Sequence, residues 1–150
     1  MEPRIPKSTI LHACIIKQQL IISNFEREIK NLKDEIYGQE VIPSQGDYSA
    51  AERTEVLERY EHELLFLQEE LNALERINPD VHFDKVQPGA VVVTNHQTFF
   101  VSVSIEQIEV NDNIVFGLSI EAPIYQTMKF KKAGDHFSFN TREYAILEVY

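Results

Sequence analysis

The chain has 150 residues and a formal net charge of −10, from 14 lysines and arginines against 24 aspartates and glutamates. A chain of this length forms one domain or two small ones, and its negative charge argues against unaided binding to nucleic acid, which needs cationic side chains that displace counterions. A single cysteine, Cys14, excludes an internal disulfide, and the lack of a signal-peptide pattern or long apolar run predicts a cytoplasmic protein without a membrane span.

The first predicted element is a long helix at about residues 9–37. Its apolar residues, with one glutamine in the series, recur in alternating steps of four and three: Leu11, Ile15, Gln18, Ile22, Phe25, Ile29, Leu32 and Ile36. This spacing is a heptad seam, which packs one face of a helix against a partner helix.

A second helix is predicted at about residues 49–77, after a short break at residues 38–48. The same spacing resumes there at Leu57, Tyr60, Leu64, Leu67, Leu71 and Leu74. Because the break is short, the simplest arrangement is an antiparallel hairpin whose seams pair within one chain, and this predicts a monomer. The alternative is a coiled coil that dimerises, since a seam specifies pairing but not the partner.

Acidic side chains stand at the tip of this hairpin: Glu40 and Asp47 lie within the break, and Glu52 lies just after it. Ser49 and Glu52 have the spacing of a capping box, and Asp47 would favour the positive end of the second helix. These acids are therefore either parts of a capped turn or the working end of the hairpin.

Asn78 and Pro79 end the second helix, and the pattern then changes to period two. Runs rich in β-branched and aromatic residues predict strands over residues 90–94, 98–110, 114–120, 136–139 and 144–150. Within the second run, we expect one of Phe99 and Phe100 to point inward and the other to be exposed.

Two connections among these strands are predictable. The run Asn111-Asp112-Asn113 tolerates positive φ and predicts a tight antiparallel turn. A short helix is predicted after Pro123, with Gly134 as its stop. The predicted fold class is therefore α+β, with an antiparallel coiled-coil hairpin over residues 1–80 and a small antiparallel sheet domain with one short helix over residues 81–150.

Metal-binding and nucleophilic signals are weak. The five histidines are scattered, with no pair at metal-ligand spacing and no second cysteine, so we expect no metal held by this chain alone and no cofactor. Cys14 lies off the first seam and is expected to be a small packed residue.

The C-terminal segment resembles the Gre family (GreA and GreB) of bacterial transcription elongation factors. The resemblance lies in VQPGAVVVT, GLSIEAPIYQTMKFKKAGDHF and REYAILEVY, in this order. It implies an FKBP-like sheet domain that docks on RNA polymerase and a coiled coil that enters the polymerase's secondary channel. The chain would then be no enzyme itself but would act at the polymerase's own active site and its Mg²⁺.

The resemblance also implies a tip pattern of Gly-Asp, two residues, Glu-Asn-Ala, an acid and Tyr. If Gly46-Asp47 matches its start, Asp47 is kept and the required glutamate falls on Ala50. If Asp47 instead matches the acid before the tyrosine, the two metal-binding acids fall on Val41 and Ser44.

Neither register keeps both carboxylates, so we expect weak or no stimulation of transcript cleavage. The alternative is a cleavage-stimulating factor with a rearranged acidic tip, in which Glu52 or Glu40 replaces the missing acid.

The docking step implied by the resemblance is Glu121, Ala122 and Pro123, in the place of the family's acidic-Ser-Pro step. Glu121 keeps the charge, whereas Ala122 lacks the serine hydroxyl. The plainer alternative is that Pro123 only begins the short helix.

Two other function classes remain open. One is an FKBP-like prolyl isomerase with a coiled coil, which needs an aromatic-lined pocket and has little support in a chain without tryptophan. The other is a coiled-coil adaptor that carries an FKBP-like domain.

Overall fold

The structure is a computed structural model that describes residues 4–38 and 46–150, without the side chains of residues 46–50. Its elements are α1 Lys7–Tyr37, α2 Gly46–Glu75, β1 Val91–Thr94, β2 Thr98–Ser102, β3 Ile105–Val110, β4 Asn113–Ser119, α3 Pro123–Met128, β5 His136–Phe139 and β6 Arg142–Val149. Two long helices therefore precede a sheet with one short helix, and the predicted α+β fold class is confirmed.

Contacts divide the chain into two compact units. Gln18–Leu71 form the helical unit, and the described residues on either side of this range form the sheet unit. The sheet unit thus includes the start of α1 and the end of α2. The predicted boundary after residue 80 follows chain order rather than contacts and stays a prediction.

The predicted seam is the buried face of the helical unit. Its buried apolar residues are Ile22, Ile29, Leu57 and Leu67, whereas Leu20, Leu65 and Phe66 lie off the seam and are exposed. The Phe25 and Tyr60 rings meet edge to face with 5.7 Å between their centroids. Further toward the start of α1, Gln18 Nε2 donates to the Leu67 carbonyl at 3.0 Å. Rising numbers on α1 therefore meet falling numbers on α2, and the predicted antiparallel pairing within one chain is confirmed.

Both long helices begin earlier than predicted. The first turn of α1 forms at Pro6, whose carbonyl accepts from the amides of Thr9 and Ile10 at 3.1 and 3.2 Å. The second helix begins at Gly46, so Ser49 lies inside it and the predicted capping box is wrong. An aspartate in the first turn is compatible with this earlier start, because a carboxylate there favours the helix dipole.

The sheet has six strands in the order β3-β4-β2-β1-β6-β5. Strands β2 and β4 pair in parallel and the other pairs are antiparallel, so the sheet is mixed where an antiparallel one is predicted. The prediction of a single strand at residues 98–110 is also wrong, because this range forms two strands. The chain turns at Val103 and Ser104, and β4 inserts between the two halves, β2 and β3.

Gly117 allows the chain to pass β4 on its way from β2 to β3. A Cβ at Gly117 would lie 2.5 Å from the Val103 carbonyl oxygen and 2.9 Å from the Ile105 amide nitrogen. The chain that leaves β2 therefore passes against the backbone of β4, where a side chain has no room.

The tight turn predicted at residues 111–113 is confirmed. Asn111 and Asp112 have φ values of 50° and 65° and join β3 to β4. Asn140 and Thr141, at 49° and 63°, join β5 to β6 in the same way.

Both faces of the sheet are covered. One face packs against the helix ends through Ile10, Leu11, Cys14 and Leu74. The other face packs against α3 through Tyr125 and Met128. Phe99 and Phe100 point to opposite faces and are only 3% and 0% exposed, so the prediction that one of them is exposed is wrong. No helix within the described residues is long and apolar enough to cross a membrane.

Candidate partner-docking site

The predicted docking step, Glu121 to Pro123, spans the turn after β4 and the first residue of α3. The Glu121 amide donates to the Ser119 hydroxyl at 3.1 Å, and the Ala122 amide donates to the Ser119 carbonyl at 3.1 Å. Pro123 begins α3, as the plainer alternative predicts. Nothing in a helix start prevents the same residues from contacting a partner, because Glu121 and Pro123 are exposed and Ala122 is half-buried.

Two further contacts hold this turn in place. The Gln126 side-chain amide donates to the Ile120 carbonyl at 3.2 Å, and Ala122 packs against the sheet core. The Glu121 carboxylate is therefore presented to solvent from a backbone that several hydrogen bonds hold. Ser119 is a positioning residue that sequence reasoning missed, although a serine two residues before an exposed turn amide is a recognisable signal.

Ile120, directly before Glu121, lines an apolar pocket of about 330 Å³. The other lining residues come from the end of α2, the segment that follows it and the end of β2: Ala73, Ile77, Asn78, Val81, Phe83, Pro88, Gly89, Val101, Ser102 and Val103. This volume is near the lower end of small-molecule sites, which start at about 300 Å³, and one buried apolar side chain would fill part of it. Phe83 is the one aromatic residue among those that line it.

Gly89 shapes one wall of this pocket. Its φ of 91° lies in the left-handed region, and a Cβ there would stand 3.3 Å from Phe83 Cε2. Its amide donates to the Val101 carbonyl at 2.7 Å, which ties the wall to β2. Glycine is favoured at this position because it alone meets both requirements without strain.

Lys7 contacts two other residues that line this pocket. Its Nζ donates to the Val81 carbonyl at 2.7 Å and lies 4.7 Å from the centroid of the Phe83 ring. Burial lowers the pKa of this amine to about 8. Sequence reasoning missed both Lys7 and the pocket, because their residues are far apart in the chain.

The structure describes the predicted tip acids only in part. Glu40 lies outside the described residues, and Asp47 lies in the first turn of α2 with its side chain outside the description. Glu52 is exposed. Within the residues whose side chains are described, no three His, Cys, Asp or Glu side chains form a group that could hold a metal ion. The role of the three acids stays a prediction.

Cys14 and two of the histidines have structural contacts. Cys14 is buried, and burial raises the pKa of its thiol to about 12, as suits the packed residue that was predicted. The His96 ring lies against Tyr144 edge to face, with 5.1 Å between the centroids, and the His82 ring stacks on Tyr150 at 6.3 Å.

Comparison with known proteins gives little similarity. No protein-family model matches the chain, and no curated protein matches it. Among solved structures it is similar to the GreA factor homolog 1 (Gfh1) protein of Thermus thermophilus, with 13% sequence identity, a TM-score of 0.35, and coverage of 91% of this chain and 94% of that one. A match at this level is a weak likeness in fold.

Proposed function

We propose that this protein is a cytoplasmic regulator of transcription elongation that binds RNA polymerase and places its helical hairpin in the polymerase's secondary channel. In this role the sheet unit docks on the outside of the polymerase through Glu121, Ala122 and Pro123. The observation that carries the proposal is this docking step, which matches the Gre-like sequence pattern and is held by hydrogen bonds beside an apolar pocket.

The docking step and the pocket supply complementary interactions. Glu121 offers an exposed carboxylate on a fixed backbone, and the pocket next to it offers an apolar lining in which Val81 and Ile120 are exposed. An apolar side chain of the partner that enters a pocket while a charge pairs at its edge is the usual arrangement of a small, specific protein interface.

The hairpin supports the second part of the proposal. Its seams pair within the chain, as the hairpin of the proposed role requires, and in the sequence Asp47 lies in the break between them. At most one of the two family tip positions is acidic in either register, and a loosely held second Mg²⁺ needs carboxylate ligands. We therefore propose weak or no stimulation of transcript cleavage, with a rearranged tip of Asp47 and Glu52 or Glu40 as the alternative.

In this proposal the chain has no catalytic activity and no cofactor of its own, and the Mg²⁺ near its tip belongs to the polymerase. It acts as a monomer and binds no nucleic acid unaided, because a net charge of −10 opposes contact with a phosphate backbone.

Binding to purified bacterial RNA polymerase core enzyme tests the docking step. Glu121→Lys reverses the charge on the fixed turn, and we expect it to weaken binding at least about tenfold, which corresponds to ~1.4 kcal/mol. The control is Glu109→Lys, an equal charge change at another exposed position of the sheet unit, which should leave affinity unchanged. Equal affinity for Glu121→Lys and wild type, with unchanged circular dichroism, would remove the docking assignment.

Polymerase binding and a peptide-turnover assay together separate the competing classes. A coiled-coil adaptor would bind the polymerase no better than an unrelated acidic protein does. A prolyl isomerase would turn over a proline-containing peptide, and Val81→Asp, in the pocket, would abolish that turnover.

A further inference from the structure

Four lysines and an exposed phenylalanine that are not part of the docking step form a second group, and we call it the lysine corner. It consists of Lys85, Lys129, Phe130, Lys131 and Lys132, all within the sheet unit. Phe130 is 66% exposed, and its φ of 66° lies in the left-handed region. A bulky residue in this conformation costs free energy that glycine or asparagine avoids.

The other positive-φ residues have a simpler explanation. Asn111, Asp112, Asn140 and Thr141 form tight two-residue turns between paired strands, which require positive φ. Phe130 instead follows α3, at a place where glycine and asparagine usually end a helix. Among the described residues it is the one apolar side chain with positive φ.

The surrounding structure imposes this conformation. The Phe130 amide donates to the Val86 carbonyl at 2.8 Å, and the Val86 amide donates to the Lys131 carbonyl at 2.8 Å. Val86 is fully buried, so this pairing anchors the backbone of the corner to the core. The phenyl ring stays mostly exposed, so its burial does not offset the free-energy cost of the positive φ. Such conflicts between local stability and residue type are concentrated at functional sites.

Positive charge is concentrated in this part of the sheet unit. Four of the chain's 14 basic residues lie in the corner, in a protein whose net charge is −10. Lys85 and Lys132 are bridged through their backbones, and Lys129 Nζ lies 5.9 Å from the centroid of the Phe130 ring. Within the described residues, none of the four lysines forms an ion pair.

Two acids lie close to the corner in sequence. Asp135 accepts the Lys132 amide at 2.8 Å and closes the turn with its carboxylate. Asp84 is exposed next to Lys85. Even with both acids counted, the corner is more basic than the rest of the chain.

We propose that the lysine corner docks an acidic segment of a protein partner, with Phe130 as the apolar anchor and the lysines paired with carboxylates. A few carboxylates beside an apolar side chain match the size of this corner. A nucleic acid or an anionic membrane extends its negative charge far beyond four lysines and would meet the acidic remainder of the chain. This inference does not depend on the proposed polymerase role.

Nuclear magnetic resonance titration of the full chain tests the proposal. The probe is an end-blocked peptide of sequence Glu-Glu-Leu-Glu-Glu, compared with a single-stranded oligonucleotide and with vesicles that contain phosphatidylserine. We expect the peptide to shift the amide signals of residues 129–132 and 85 in a saturable way, and Phe130→Asn to weaken this binding at least about fivefold. Leu147→Asn is the matched control, because Leu147 is also an exposed apolar residue of the sheet unit, and it should bind as wild type does.

A second readout separates a docking role from a structural one. Because asparagine tolerates positive φ, Phe130→Asn should raise the thermal midpoint, by about 3 °C for a chain of this size. A lowered midpoint would mean that Phe130 stabilises the fold, and the anchor assignment would be wrong. Absence of shifts at the corner would overturn the proposal, as would binding of the oligonucleotide or the vesicles at the corner as tight as that of the peptide. The double variant Lys129→Gln with Lys132→Gln removes two of the four lysines and should roughly halve the salt dependence of peptide binding, and an unchanged salt dependence would contradict the pairing with carboxylates.

Discussion

Lys7 is a lysine with 2% of its surface exposed, and its side chain holds the segment after α2 to the start of α1 within the sheet unit. Its amine finds one carbonyl and one aromatic ring rather than a carboxylate. Burial without a negative partner disfavours the charged form, which is why its pKa is lowered from 10.5 to about 8.

The first prediction follows from this pKa. Between pH 8 and 10.5 the unfolded chain still holds a proton on Lys7 that the folded chain has lost. The free energy of unfolding therefore gains a contribution that rises with pH across this window. We expect the unfolding free energy of wild type relative to Lys7→Met to rise between about pH 7.5 and about pH 9, measured by urea denaturation at each pH.

The comparison with Lys7→Met is necessary because other groups act in the opposite direction. Burial raises the pKa of Cys14 to about 12, and burial with the nearby Glu148 charge raises that of Tyr150 to about 12. In the folded chain these groups keep protons that the unfolded chain releases, so their contribution to stability falls as pH rises toward 12. A difference that stays constant between the two pH values would contradict the lowered pKa of Lys7.

Gln18 gives the second prediction, also at the scale of one residue. It is the polar member of the seam, is 1% exposed, and donates to the Leu67 carbonyl at 3.0 Å and to Glu70 Oε1 at 3.3 Å. Gln18→Ala removes these bonds and leaves space in the seam, so we expect it to lower the unfolding free energy by about 1–3 kcal/mol. Gln18→Leu fills the space and should cost less. An equal loss in the two variants, by urea denaturation, would mean that packing at this seam position has no weight.

At the scale of elements, the connection from β2 to β3 passes against the backbone of β4 at close range. It depends on Gly117, because a side chain there would collide with the backbone at Val103 and Ile105. The neighbours are backbone atoms and cannot rotate away.

The third prediction is that Gly117→Ala lowers the unfolding free energy by about 1–3 kcal/mol, the usual cost of overpacking. Glu106→Ala is the control, at an exposed position on the neighbouring β3, and should change stability by less than about 0.5 kcal/mol. If Gly117→Ala is as stable as wild type in chemical denaturation, then the chain can pass β4 without this close approach.

At the scale of the whole molecule, the question is whether the two seams pair with each other within one chain. Both the Phe25–Tyr60 contact and the Gln18–Leu67 hydrogen bond join α1 to α2 of the same chain. A seam that is already paired leaves no matching surface for a second copy.

The fourth prediction is therefore a monomer at micromolar concentration in sedimentation equilibrium. Ile22→Asp would place a charge in the paired seam, and we expect it to unfold the hairpin rather than to dissociate an oligomer. A dimeric wild type that Ile22→Asp converts into folded monomers would show that the seams pair between chains.

The fifth prediction concerns the tip and rests on the proposed function. In a backtracked elongation complex, we expect wild type to change elongation and to stimulate transcript cleavage less than about tenfold over polymerase alone, since tenfold corresponds to ~1.4 kcal/mol of barrier. Asp47→Ala should then change elongation modestly. Robust cleavage by wild type that Asp47→Ala or Glu52→Ala abolishes, with polymerase binding intact, would instead support a rearranged acidic pair.

The sequence by itself determined the elements whose signal is local. The heptad steps identified the paired faces of α1 and α2, because the helical period alone decides which residues share a face. Asn111 and Asp112 identified the β3–β4 turn, because their tolerance of positive φ is a property of the residues themselves.

Only the tertiary structure decided the features that depend on contacts between distant residues. The mixed sheet required β4 to insert between β2 and β3, and the burial of both Phe99 and Phe100 required helices on both faces of the sheet. The burial of Lys7 required the carbonyl of Val81, 74 residues further along the chain. The sequence records residue types and local spacing, whereas burial, and with it the pocket beside Glu121 and the pKa of Lys7, is a property of what the completed fold places around a residue.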